Sequence, residues 1–568
     1  MLDQNTGNIK KKSEDSTLMP VSRGIVQKAF QLSGSDALNM ILDQENALQV
    51  VWNMTRVDFF WLVKKIGEDD SLPLLKLASS EQWQHIMDME LWQKDRFDTD
   101  HATEWLCRLY KADPARLVKW LFSEDGNLTA HLYFFNKIQV EQQDEDNSKT
   151  FSNDFFTLDG IYYIRIMDKE HGQEIEQVLK TMMANDHLHF QALLLGMAGV
   201  IPSEIEEEMY RMQTVRLAED GYLPFYEALG VYAYQKIDKL KPDRSEYKLY
   251  LPDGEDSALV PVTPFLHARS SNLLSMSLSG ISDPLLMDRI QMEFAGLCNQ
   301  IFSADNIRFD DQQVLVRTCR KAAGYLNAGL EKLSGGDVSL AVQYIKNNPL
   351  ISLFRAGFGL ALELRWEADR WLENAWFLSQ DLSYNFWGEE WSGILKGIIQ
   401  DRPLYYSALK EEDEYREFET LSEIENYKTA LSCMIVLDRL LKALTSNRAL
   451  DLERADDPFF SFYTMLFGFW ARLLLKLEPG FKPLDLTNVR EFFKRARSAD
   501  EKAPPYSMPG FKEVFIRDLS SYLPGSEEVE ADSLEEALSI VWQEFADEYS
   551  EVAVSDLDPR YEKFFLIA

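Results

Sequence analysis

The sequence predicts a mainly α-helical protein: a short-helix, solenoid-like repeat region with a small antiparallel β insert, then a larger helical domain. Three observations lead there. Apolar residues recur at helical spacing along most of the 568 residues. Helix-start residues and glycine or proline stops punctuate those stretches. One short text also appears twice: "WLVKKIGEDDSLPLLKL" begins at Trp61 and "WLCRLYKADPARLVKWL" at Trp105, 44 residues later. Trp61 and Trp105, Leu62 and Leu106, and Asp69 and Asp113 are identical pairs, and Lys64 matches Arg108 in charge.

Residues 1–24 read as a solvated tail, and residues 25–242 as the repeat domain. Phe59, Leu62, Val63 and Ile66 share one helical face, with Gly67 as a C-terminal stop. Ser79 or Ser80 can cap the helix carrying Trp83, Ile86 and Met87. Asp113 followed by Pro114 is an N-cap with proline at the first helical position. Helices of about ten residues do not stand alone in water, so each must bury its stripe on its neighbours. The echo at Trp61 and Trp105 therefore reads as two copies of a stacked helix-pair unit.

At about 137–167 the helical text stops. "FFTL-DG-IYYIRI" places Asp-Gly between two aromatic and β-branched runs, a hairpin signal, and Lys137 to Glu141 can supply a third strand. Helices resume near His171. The proline-bearing stretch 243–265 reads as a linker, and 266–568 as the C-terminal helical domain. Within it, Ser533 and Glu536 form a capping-box pattern ahead of Leu534, Leu538, Val541 and Phe545 at helical spacing.

With 46% hydrophobic and 12% aromatic residues, the chain has ample core material and is not disordered as a whole. Its 59 basic residues face 93 acidic ones, a net charge of −34, which repels phosphate backbones and disfavours nucleic acid as a partner. Cys107, Cys298, Cys319 and Cys433 form no C-x-x-C pair, which fits a reducing cytoplasm. The polar N-terminus lacks a signal-peptide core. The most apolar stretch is uncharged only from Pro458 to Ala471, short of the roughly 20 residues a span needs, so no membrane insertion is expected.

The chain resembles a bacterial family known only as domain-of-unknown-function family 6178. The likeness is carried by "LVKKIGEDDSLPLLKLASSEQ", "FTLDGIYYIRI", "RLAEDGYLPFYEALGVY", "LFRAGFGLALELRW" and the terminal "LDPRYEKFFLIA". These lie in order along nearly the full length, and the resemblance implies no activity. The N-terminal repeats also resemble, over about 100 residues, the helical-repeat domain of bacterial magnesium transporters; transport does not carry over.

Chemical signatures are sparse. There is no G-x-x-x-x-G-K-S/T phosphate loop, G-x-G-x-x-G turn, G-x-S-x-G elbow or H-E-x-x-H helix. "LSGGD" at Leu333–Asp337 reads as a turn between helices. Asp186, His187 and His189 could ligate a metal only in an extended segment, because i and i+2 side chains diverge on a helix; the plainer reading is a helix start capped by Asp186. Runs of carboxylates read as solvated faces, so no catalytic residue is assigned. The aromatic cluster of Phe386, Trp387 and Trp391 with Arg402 has the residue types of a binding hot spot and also of a buried helix seam. Helix breaks at Gly388 and Pro403 favour surface clefts, so at least one of Trp387 and Trp391 is expected to be partly accessible, in or beside a partner-binding groove.

These readings point to a non-enzymatic cytoplasmic interaction or regulatory scaffold with unidentified protein partners and no cofactor. The alternative is an enzyme with an unrecognised, possibly metal-dependent site in a cleft between the two halves.

Overall fold

Many helices begin on a capping side chain that the sequence marks. The computed structural model describes residues 25–26, 28–142, 152–197, 202–243, 272–307, 312–407, 413–446, 460–497, 503–523, 528–560 and 562–568. The tail, and the linker apart from Asp243, lie outside these residues. Packing divides the chain into two units: Met1–Leu326 with Leu333–Arg355, and Asn327–Lys332 with Ala356–Ala568.

In the first unit, α1 (Gly34–Leu42), α2 (Ala47–Trp52), α3 (Arg56–Ile66), α4 (Leu72–Leu77) and α5 (Ser80–Glu90) precede a two-strand ladder of β1 (Trp92–Gln93) and β2 (Arg96–Phe97). Then come α6 (Thr99–Ala112), α7 (Pro114–Leu121) and α8 (Glu124–Lys137). Ser79 caps α5 in a reciprocal box with Gln82. Asp113 caps α7, accepting the Arg116 N–H at 3.1 Å, with Pro114 in the first turn. Gly67 ends α3 at φ 102°, a conformation that glycine adopts without steric cost.

The echoed text does form two helix pairs, α3–α4 and α6–α7, with α4 packed on α6. Trp61 and Trp105 sit on the first helix of each pair, both fully buried. Their surroundings differ. Trp61 packs against Phe302 at 5.5 Å between ring centroids, whereas Trp105 lies beneath the cations of Lys64 and Arg108, at 5.5 and 5.2 Å.

The expected β insert is a three-stranded antiparallel sheet of β3 (Ile138–Gln142), β4 (Phe156–Thr157) and β5 (Tyr162–Ile166), in the order β3-β5-β4. Thr157 pairs with Tyr163, so the turn is longer than Asp-Gly alone. Asp159 organises it by accepting the N–H groups of Ile161 and Tyr162, both at 2.9 Å, and Gly160 takes φ 77°.

The unit continues through α9 (Gly172–Asn185), α10 (His187–Gly196), α11 (Pro202–Ala218) and α12 (Phe225–Ala228). Next are α13 (Leu273–Ser279), α14 (Pro284–Asp305), α15 (Gln312–Ser334), α16 (Val338–Asn347) and α17 (Leu350–Leu372); Asn327–Lys332 of α15 and α17 from Ala356 onward belong to the second unit. "LSGGD" is a helix-connecting turn, with Gly335 and Gly336 at positive φ and Asp337 capping α16.

The second unit contains α18 (Trp376–Ser379), α19 (Gly388–Ile398), β6 (Tyr405–Tyr406), β7 (Tyr415–Arg416) and α20 (Leu421–Thr445). It closes with α21 (Phe462–Leu474), α22 (Leu486–Ala496), α23 (Phe511–Ser520) and α24 (Glu528–Ser550). Its core is aromatic: Phe467 of α21 stacks on Phe545 at 4.2 Å and on Phe515 at 4.9 Å. Leu534, Leu538, Val541 and Phe545 are all buried, as their spacing predicts. Among the described residues no helix is long and apolar enough to cross a membrane.

Two expectations need correction. Strand pairing is not confined to 137–167, because the two-residue ladders β1–β2 and β6–β7 form outside it; pairs that short leave no alternation to read. Ser533 does not start a helix. It lies inside α24, because the apolar stripe behind it extends a helix that already begins at Glu528.

Candidate functional site

The polar helix is α5, "SEQWQHIMDME". Gln82, Gln84, His85, Asp88 and Glu90 point to several sides of it, and all five are buried, because α3, α6 and α11 pack around it. A buried polar group needs a partner, so each recruits one. Gln82 donates to the carbonyls of Val51 at 2.7 Å and Met54 at 3.1 Å.

Two charge centres result. At the helix end, Glu90 meets Lys64 at 2.8 Å and His101 Nε2 at 2.8 Å, and accepts the Trp105 indole N–H at 3.1 Å. Burial pushes the Glu90 carboxyl up, but His101 and Lys64 together outweigh it and hold it below its ordinary value. The Glu90 hydrogen bond in turn raises His101.

The second centre holds Asp88, His85 and Asp220. Arg216 donates through Nε and Nη2 to both Asp88 carboxylate oxygens, each at 2.7 Å, and Gln84 adds a bond of 3.0 Å. Gln213 donates to the Asp88 carbonyl at 2.7 Å. Arg56 pairs with Asp220 at 2.8 Å and Glu219 at 2.9 Å. His85 Nδ1 lies 3.4 Å from Asp220, and burial, with Arg56 nearby, pushes the imidazole down to about 3. His85 is therefore neutral at physiological pH.

Beside this centre opens a cleft of about 110 Å³, with Trp92, Tyr210, Gln213, Phe225, Phe302 and Asn306 in its wall. The β1–β2 turn forms part of its rim. There Lys94 adopts φ 59° and donates its backbone N–H to Asn306 Oδ1 at 3.1 Å, while Asn306 itself ends α14 in the left-handed region at φ 49°. The cleft thus combines half-buried aromatic rings with amides and a lysine, a composition suited to small-ligand recognition.

The aromatic site expected from the sequence is placed differently. Phe386, Trp387 and Trp391 are buried, Trp387 completely, so the expectation of an accessible tryptophan is overturned. Trp391 stacks on Phe462 at 5.2 Å, and Trp387 packs against Trp371 and Phe377, each at 5.7 Å. Gly388 does break the helix, at φ 78°, but the break brings the chain onto Tyr463 instead of opening a surface: a Cβ there would lie 3.0 Å from that ring. Arg402 is half-buried; Glu389 and Glu390 are exposed.

Asp186 caps α10 by accepting the His189 N–H at 3.1 Å, and its other oxygen lies 2.7 Å from His189 Nδ1. His187 sits one helical residue on, as the capping reading requires. Among the described residues, no three His, Cys, Asp or Glu side chains gather in a way that could hold a metal ion.

His85, Asp88 and Glu90 carried a readable signal: polar residues on all sides of a helix embedded in apolar text. Their partners Arg216 and Asp220 lie too far along the chain for spacing to suggest them.

These features define a mainly helical protein with a polar-cored first unit, an adjoining aromatic cleft and an aromatic second core. The chain belongs to the DUF6178 family, described as a family of unknown function, whose sequence model matches residues 16–568. No curated protein and no solved structure matches the chain, so the likeness to magnesium-transporter repeats gains no support.

Proposed function

We propose that this chain is a cytoplasmic interaction or regulatory protein, not an enzyme, with the cleft beside Asp88 as its recognition element. The pairing beside that cleft carries the reading. Asp88 is held in a two-pronged bond by Arg216, Asp220 is paired with Arg56, and His85 is kept neutral by burial. Catalytic acids and bases must exchange protons with a substrate, and groups engaged in this way are poor at it. The rings and amides of the wall can still bind without reacting. The net charge of −34 argues against nucleic acid as the partner, and four free thiols suit a reducing compartment.

The test is a thermal-shift screen of metabolite-like compounds on the full chain, followed by mass spectrometry of each stabilising mixture. Compounds that raise Tm should lose that effect in Tyr210→Ala and emerge chemically unchanged. Conversion of a cleft-dependent compound would replace this reading with an enzymatic one.

A further inference from the structure

We infer that the cleft of the first unit binds a small organic cation, an alkylammonium ion, and that Lys94 occupies the site as a tethered substitute. The inference rests on the reading of the cleft as the recognition element. Three half-buried rings from separate elements converge there: Trp92 of β1, Tyr210 of α11 and Phe225 of α12. Trp92 and Tyr210 lie 5.5 Å apart between centroids. The Lys94 ammonium stands 5.0 Å from the centroid of Phe225, so one ring of the wall already attracts a cation.

The surroundings are acidic. Tyr210 is raised first by burial and then by the charge of Asp95, with Glu227 adding to it, and both carboxylates are exposed. Asp88, deeper in, is neutralised by Arg216, so it neither captures Lys94 nor repels an anion. Aromatic faces with exposed carboxylates nearby favour a cation over an anion. Lys94 is held at the rim by its hairpin and by the bond to Asn306. It therefore competes intramolecularly with an incoming ammonium ion.

That competition gives the test its direction. Binding of tetramethylammonium chloride to the full chain is measured by calorimetry against sodium chloride of equal ionic strength, with sodium benzoate as the anionic counterpart. Lys94→Gln should bind tetramethylammonium about two- to fivefold tighter than the unsubstituted chain, because a cation–π contact with its own lysine is removed. Phe225→Leu, which keeps an apolar side chain, should bind it more weakly by a similar factor. An anion site would behave oppositely: Lys94→Gln would lose benzoate binding. That result, or no saturable tetramethylammonium binding by the unsubstituted chain and by Lys94→Gln, overturns the inference. If it falls while another compound still depends on Tyr210, the cleft reading stands; if no compound depends on Tyr210, both fall.

Discussion

Arg216 and Asp88 stand 128 residues apart in the chain and meet through two hydrogen bonds of 2.7 Å, fastening α11 to the polar face of α5. Burial drives the Asp88 carboxyl upward, and Arg216 opposes that shift. Removing the guanidinium leaves a buried carboxyl without its main partner. Arg216→Ala should therefore cost toward the lower end of about 3–5 kcal/mol, since part of the arginine reaches solvent. Urea unfolding of Arg216→Ala, Asp88→Ala and the double variant checks this. Additive losses would mean that the two residues do not act as a pair.

Trp61→Ala and Trp105→Ala should each lower stability by about 3–5 kcal/mol, because both rings are fully buried. Trp105→Phe isolates the hydrogen bond to Glu90. It should still destabilise, because one partner of a buried carboxylate is lost. Denaturant midpoints unchanged by either alanine substitution would contradict the packing described for the two helix pairs.

His85 makes the fold sensitive to acid. Its folded value is pushed down to about 3 from 6.5, so in that window the unfolded chain binds a proton that the folded chain refuses. Stability is lost as pH falls from 6.5 toward 3, by about 1.4 kcal/mol per pH unit from this group. His101 acts in the opposite sense: raised by Glu90, its contribution is complete below its unfolded value and fades as pH rises through the folded one. Unfolding free energies at pH 7 and pH 5 should diverge less for His85→Gln than for the unsubstituted chain. Equal slopes would remove His85 from the account.

Gly126 lies within α8, where alanine would ordinarily stabilise by about 1 kcal/mol. Here the added Cβ would collide with the backbone carbonyl of Trp120. Gly126→Ala should instead destabilise by about 1–3 kcal/mol, as overpacking does. A raised Tm would show that the α7–α8 turn is looser than this contact.

Cys298 and Cys319, on α14 and α15, hold their sulfurs 3.9 Å apart. A two-electron oxidant such as diamide would accept both thiol hydrogens and leave a disulfide. Burial raises the Cys298 thiol well above its ordinary value, so little thiolate is present and the reaction should be slow. Peptide mapping after prolonged oxidation should find these two residues joined. A preference for links through Cys107 or Cys433 would count against the geometry.

The chain's local grammar was legible without a structure. The caps at Ser79 and Asp113, the stop at Gly67 and the turn at Asp159-Gly160 each depend on groups within a few residues. Helical spacing likewise identified Leu534, Leu538, Val541 and Phe545 as buried. Tertiary structure decided what those elements face. Trp387 and Trp391 carried the residue types of both a groove and a seam, and the helix break at Gly388 suggested an accessible ring, but Phe462 and Trp371 closed over them. His85, Asp88 and Glu90 mark α5 as a polar helix, but their partners Asp220, Arg216 and Lys64 arrive from other segments. The physical reason is range: a cap satisfies its own neighbours, whereas burial and charge pairing depend on partners that folding brings together and sequence spacing does not encode.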